Sequence, residues 1–168
     1  GTGDGDADGI PDWQDQDTAS LPAPGGAGPV VADLAEGAAQ RLDFTAARLL
    51  PAPDPSLPAA RRPASGVFLF GVHELRATGL SLGETVTLTI QLPIPVPPSS
   101  QYWRVGATGW QQATLGSNDG DATVTVALTD GGVDDRDGAA DGAVGERSCV
   151  VLFAKQPATP LRRRFGGS

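Results

Sequence analysis

The run Thr85-Val86-Thr87-Leu88-Thr89-Ile90-Gln91-Leu92 alternates polar and apolar residues without a break. A period of two sends Val86, Leu88, Ile90 and Leu92 to one face and the threonines with Gln91 to the other, the pattern of a half-buried strand. Its β-branched residues favour a pleated backbone over a helix. Gly83 precedes the run and Pro93 follows it; proline cannot donate to a sheet ladder, so the strand stops there. Burying the four apolar side chains is worth about 6–10 kcal/mol before the entropy of ordering is subtracted. A strand of this kind needs partners for its N–H and C=O groups, so the rest of the chain has to supply a sheet.

The rest of the chain is punctuated accordingly. Gly (23) and Pro (15) exceed a fifth of the 168 residues, which fits short strands and turns better than helices. Strands are expected at Val30–Leu34, Arg41–Leu50, Val67–Leu75, Tyr102–Val105, Trp110–Ala113, Thr123–Leu128 and Val150–Phe153, although Ala46–Leu50 could equally begin a short helix. With Thr85–Leu92 that makes about eight, and the reading is an all-β chain, a jelly-roll or Ig-like β-sandwich. Pro51 to Pro63 holds five prolines and reads as a loop. Residues 1–16 form a separate acidic loop, 17–153 the sandwich (with little regular structure over 16–29), and 154–168 a disordered tail. No run of about 20 apolar residues is present, so no membrane span is expected.

Net charge is −8, which disfavours a nucleic-acid partner. Six acidic residues fall between Asp4 and Asp17 and seven between Asp119 and Asp141. Two such clusters in a weakly charged chain read as cation sites rather than as general solubility.

In the first cluster, Asp4, Asp6, Asp8, Asp12 and Asp15 take positions one, three, five, nine and twelve of a loop with Gly9 at position six. A hard cation such as Ca²⁺ wants six to eight oxygens at about 2.3–2.6 Å, and alternate carboxylates over a tight glycine turn supply them. Ile10, at position seven, would add its backbone carbonyl. Without a cation these carboxylates would repel one another. An EF-hand uses the same register but needs a helix on each side. Here only three residues precede Asp4, and Pro11 follows Ile10. The string Asp4 to Asp12 resembles instead a thrombospondin type 3 repeat, in which a helix-free chain wraps around calcium; it reads as the last copy of a longer array.

The second cluster, Leu128 to Gly142, leaves a strand directly into close carboxylates and glycines. Aligned on Asp137-Gly138 it repeats the spacing, with Asp135 and Asp137 alternating and Asp141 at the ninth position. Val133 and Val144 occupy the first and twelfth positions, so two ligands of the full set are missing; Asp130 or Asp134 could fold back to replace one. A glycine-rich acidic hairpin is the competing reading. Asn118-Asp119-Gly120-Asp121 reads first as a turn.

Several stretches together resemble the choice-of-anchor U domain of bacterial surface and secreted proteins. These are Ala19-Ser20-Leu21-Pro22 soon after the acidic loop, Gly66–Gly71, Gly79–Thr89, Tyr102-Trp103, Trp110, and above all Leu128-Thr129-Asp130-Gly131-Gly132 with Asp137–Gly142. The similarity spans about residues 17–145. Asp141-Gly142 stands where the family usually has Asn-Gly, and Gly145-Glu146-Arg147 stands where an Asp-Pro is usual. The resemblance implies an extracellular β-rich module near the C-terminus of a larger protein, next to one of several interchangeable cell-envelope anchors, with upstream domains of the same chain as partners. Glycans as partners are a separate reading, which rests on the aromatic residues Tyr102, Trp103 and Trp110.

Little in the chain points to catalysis. The single cysteine, Cys149, opens an apolar run and reads as buried and inert. The single histidine, His73, is adjacent to Glu74, and neighbouring strand residues face opposite ways, so no dyad forms there. Paired aspartates could serve a hydrolase, a weaker reading than cation binding. The aromatics Tyr102, Trp103 and Trp110 could stack on a sugar ring, as a carbohydrate- or ligand-binding module would require; core packing is the plainer expectation. The sequence therefore reads as a non-enzymatic, Ca²⁺-binding spacer module, with Asp4, Asp6, Asp8, Ile10, Asp12, Asp15, Asp130, Asp135, Asp137 and Asp141 as its candidate ligands.

Overall fold

The computed structural model describes residues 4, 9–11, 14, 18–23, 27–34, 43–51, 54–106, 109–113 and 120–153. The described residues contain no helix, and their strands form two antiparallel sheets, a β-sandwich. One sheet has four strands, β1 (Thr18–Pro22), β2 (Pro29–Leu34), β5 (Thr85–Gln91) and β8 (Thr123–Thr129), in the order β1-β2-β5-β8. The other has five, β3 (Asp43–Leu50), β4 (Gly66–Thr78), β6 (Ser100–Gly106), β7 (Gly109–Ala113) and β9 (Ala143–Phe153), in the order β3-β4-β9-β6-β7.

The strand with the strictest alternation lies inside its sheet. β5 pairs with β2 through Leu88↔Leu34 and Ile90↔Ala32, and with β8 through Val86↔Leu128, Leu88↔Val126 and Ile90↔Val124. All of these side chains are buried in one core. From the opposite sheet Leu75, Ala77, Tyr102, Val144 and Val150 complete it. A second cluster lies on the other face of the five-stranded sheet, where Leu57 packs with Leu50, Val72, Val105, Trp110, Cys149 and Val151. The loop carrying Leu57 is tied down there, since Trp110 Nε1 donates to Pro58 O at 2.7 Å and Trp110 N to Ala60 O at 3.1 Å. Burial on both faces explains why β4 and β9 carry near-continuous apolar runs.

Three departures from the sequence reading have physical causes. Residues 18–22 form β1, although a stretch of little structure was expected. It pairs with β2 from Thr18↔Asp33 to Pro22↔Pro29 and sits at the sheet edge, where a missing proline N–H does no harm. β4 runs on to Thr78 and β9 begins at Ala143, so Glu146, Arg147 and Ser148 are strand residues. Polar partners, described below, make Glu146 and Ser148 tolerable at inward positions. Finally, β4 and β9 jump register between Leu69↔Val150 and His73↔Ser148. Phe70 and Gly71 absorb this bulge at φ 63° and 88°. Only glycine fits the second position, because a Cβ there would stand 2.5 Å from Leu50 O.

Candidate cation loops and the polar core beside them

In the first acidic loop the described residues are Asp4, Gly9, Ile10, Pro11 and Gln14; Asp6, Asp8, Asp12 and Asp15 lie outside the described residues, as does the expected tail 154–168. Gly9 takes φ 95°, the left-handed turn that position six requires, and its N–H donates to Asp4 Oδ2 at 3.0 Å. The chain thus folds back on its first carboxylate across five residues. Gln14 N closes a further turn on Pro11 O at 2.7 Å. Asp4 and Ile10 are both exposed, so neither side chain is committed to the core.

The second loop is described throughout, and its carboxylates serve backbone amides. Asp130, 2% exposed, accepts from Asp141 N at 3.0 Å through Oδ1, and from Gly83 N at 2.9 Å and Gly142 N at 3.1 Å through Oδ2. Burial pushes its carboxyl pKa up, but N–H groups of Gly83, Gly142, Asp141 and Ala143 outweigh that and hold it below the ordinary aspartate value. Asp135, also buried, accepts from Gly145 N and Gly131 N, each at 3.1 Å. Asp141 and Asp137 close short local turns on Ala143 N and Ala139 N, and Asp137 Oδ2 lies 3.8 Å from Arg76 Nη1. One carboxylate therefore stitches the end of β8 to the turn before β5 and to the start of β9, and a second stitches the loop to β9. Among the described residues no group of three or more Asp, Glu, His or Cys side chains converges on a common point. The weaker candidate at 118–121 behaves as the turn expected of it where described, Asp121 Oδ1 accepting from Thr123 N at 2.7 Å.

Beside this loop lies a polar cluster that the sequence reading missed. Tyr102 Oη is 2.7 Å from Glu146 Oε1 and 2.6 Å from Ser148 Oγ, all three residues being buried. A phenol has one proton; given to the carboxylate, it leaves the serine O–H to point at the phenol oxygen. Arg104 Nε donates to the same Glu146 oxygen at 3.3 Å, Arg104 Nη2 to Ala127 O on β8 at 3.4 Å, and Nη1 pairs with Asp134 of the loop. Burial raises the Glu146 pKa, and Tyr102, Arg104 and Ser148 only partly offset this. Burial first, then the Glu146 charge, drives the Tyr102 pKa well up. The signal for this cluster was present, since period two places Glu146 and Ser148 on the face of Val144 and Val150.

On the opposite face Glu74 Oε1 accepts from Arg147 Nε at 2.6 Å and from Arg136 Nη1 at 3.1 Å. His73, on the inward face with Leu75 and Ala77, is 1% exposed, and neither ring nitrogen has a hydrogen-bond partner among the described residues. Burial lowers its pKa to about 4. The two adjacent residues point apart, as expected. Tyr102 and Trp110 are packed inside, so they offer no stacking platform, and Cys149 is buried as expected, its thiol pKa pushed up by that burial. Compared with models of known families, with curated proteins and with solved structures, the chain finds no match.

Proposed function

We propose that this chain is a non-enzymatic structural module of a secreted or surface-attached bacterial protein, of the choice-of-anchor U kind, with calcium ordering its N-terminal loop. The observation that carries this reading is the return of the Gly9 N–H to the Asp4 carboxylate, with Gly9 in the turn conformation that the register demands. Asp4, Asp6, Asp8, Asp12, Asp15 and the Ile10 carbonyl would hold the ion, an all-oxygen donor set suited to a hard cation. Calcium there would neutralise the clustered charge and stiffen the link to whatever precedes the sandwich. We assign the second loop a holding role. Asp130 and Asp135 already bind N–H groups, so Asp130, Asp135, Asp137 and Asp141 would give an ion only a partial ligand set.

The direct test is thermal unfolding with and without chelator. Millimolar Ca²⁺ raises the midpoint if the ion binds the folded chain alone, and an unchanged midpoint contradicts the proposal.

A further inference from the structure

Three of the four sheet edges are blunted. β1 ends in Pro22, β3 carries a bulge between Phe44 and Ala46, and β7 is only five residues long. β8 holds no proline, no charge and no bulge in its register with β5. Asp130 N donates to Glu84 O at 2.9 Å and Leu92 N to Ala122 O at 2.8 Å, so the even-numbered residues from 122 to 130 bond to β5. The odd-numbered ones turn their peptide groups outward. Thr123 N is met by Asp121 Oδ1, Thr129 O by Gly132 N and Ala127 O by Arg104 Nη2. Thr123 O, both peptide groups of Thr125, Ala127 N and Thr129 N have no hydrogen-bond partner among the described residues.

The reach of Arg104 to Ala127 O sets β8 over β6, and the five-stranded sheet continues one strand further, to β7. The space beside β8 and over β7 is an open cleft, lined by Ala127, Arg104, Ala113 and the loop from Gly132 to Gly138. A second copy does not fit there. Two-fold pairing of β8 with β8 would bring both β7 strands into the same space beneath. A single extended segment does fit.

The chain carries such a segment after β9. Leu152 pairs with Ser100, Ser100 N donates to Pro97 O and Val96 N to Asp121 O, so β9 ends where β8 begins. From β9 to the place beside β8 is two strands across and one layer up, about 14 Å. The seven residues Ala154 to Pro160 reach up to about 25 Å. Leu161 to Phe165 can then run alongside Thr125 to Thr129, parallel to β8 and toward the loop. Charge agrees with that direction. Residues 154–168 hold Lys155, Arg162, Arg163 and Arg164 and no acid, whereas Asp130 to Asp141 holds five aspartates and one arginine.

We propose that Leu161–Phe165 adds to the edge of β8 as a short parallel strand, with its arginines against the aspartates of the Gly132–Gly138 loop. The segment closes the one unprotected edge to other chains. Nothing in this contact involves the calcium loop.

The test is amide hydrogen exchange of the whole chain in chelator, beside a full-length variant with Arg162→Glu, Arg163→Glu and Arg164→Glu. The Thr125 and Ala127 amides exchange about tenfold or more slower in the parent than in the variant. Those of Val124, Val126 and Leu128, bonded to β5, are alike in both and show that the variant is folded. Nuclear Overhauser contacts from Leu161–Phe165 to Thr125 and Ala127 in the parent read the pairing without any substitution. The proposal is overturned if those contacts are absent, or if Thr125 and Ala127 exchange as open amides in the parent. Equal protection in parent and variant, or protection that grows with protein concentration as pairing between copies would, overturns it as well. None of these outcomes touches the calcium reading, which the melting experiment decides separately.

Discussion

Replacing His73 by leucine measures how completely the sandwich core excludes water. The imidazole is buried on the inward face, opposite Leu49 and Ser148 on the neighbouring strands, with neither nitrogen bonded among the described residues, and its pKa falls to about 4, against about 6.5 in an unfolded chain. A depressed folded-state pKa means that the unfolded chain binds the extra proton first. The associated stability is therefore complete above about pH 6.5 and is lost as pH falls toward 4. At about 1.4 kcal/mol per pH unit the whole window is worth about 3 kcal/mol, and the span from pH 7 to pH 5 about 2 kcal/mol. Glu146 works with the opposite sign, because its raised pKa makes the folded state gain relative stability as pH falls. The wild-type slope is thus a difference, and the variant isolates the histidine part. Urea unfolding at both pH values, followed by tryptophan fluorescence from buried Trp110, gives the free energies by linear extrapolation. His73→Leu should lose about 2 kcal/mol less than the parent between pH 7 and pH 5. Equal losses in the two proteins would refute the argument, because the ring would then be titrating in contact with water.

Other consequences follow from the stitching and from the bulge. Asp135→Ala leaves the Gly131 and Gly145 amides without their acceptor and should cost about 2–4 kcal/mol in urea unfolding; a change within error would mean that the loop re-forms without it. Gly71→Ala has to hold a Cβ against Leu50 O in a left-handed conformation, so a loss of about 1–3 kcal/mol is expected from the same assay. Acid adds a further effect. The Asp130 pKa is held low by N–H donors, so its contribution is present above its unfolded value and is lost as pH falls through the folded one. Hydrogen exchange at Gly83, Asp141 and Gly142 should accelerate there before the sandwich opens.

The sandwich itself was legible because its strands obey simple periods. Thr85–Leu92 alternates strictly, and its apolar side chains are the buried ones in the structure. β1 was not legible, because Thr18-Ala19-Ser20-Leu21-Pro22 is short, weakly apolar and ends in proline; only its pairing with β2 makes it a strand. The first half of β9 was hidden for a different reason. Glu146 and Ser148 look like solvent residues until Tyr102 and Arg104, more than forty positions earlier, are seen to meet them. The Asp130–Asp141 loop teaches the more general lesson. A carboxylate crowded with glycines asks for positive partners, and both a divalent ion and a row of peptide N–H groups answer that demand. Spacing along the chain fixes the number of oxygens but not which of the two they face. The folded backbone brings Gly83, from another turn, and Gly145, from the next strand, onto Asp130 and Asp135. No local register contains that information.

Calorimetric titration of the intact chain with CaCl₂ in metal-free buffer tests the calcium assignment most directly, run beside Asp6→Ala with Asp8→Ala and beside Asp135→Ala with Asp137→Ala. Saturable binding is expected at about 10⁻⁴–10⁻³ M, abolished by the first pair of changes and retained with the second. No saturable heat in the parent, or binding that survives the loss of Asp6 and Asp8, would contradict it.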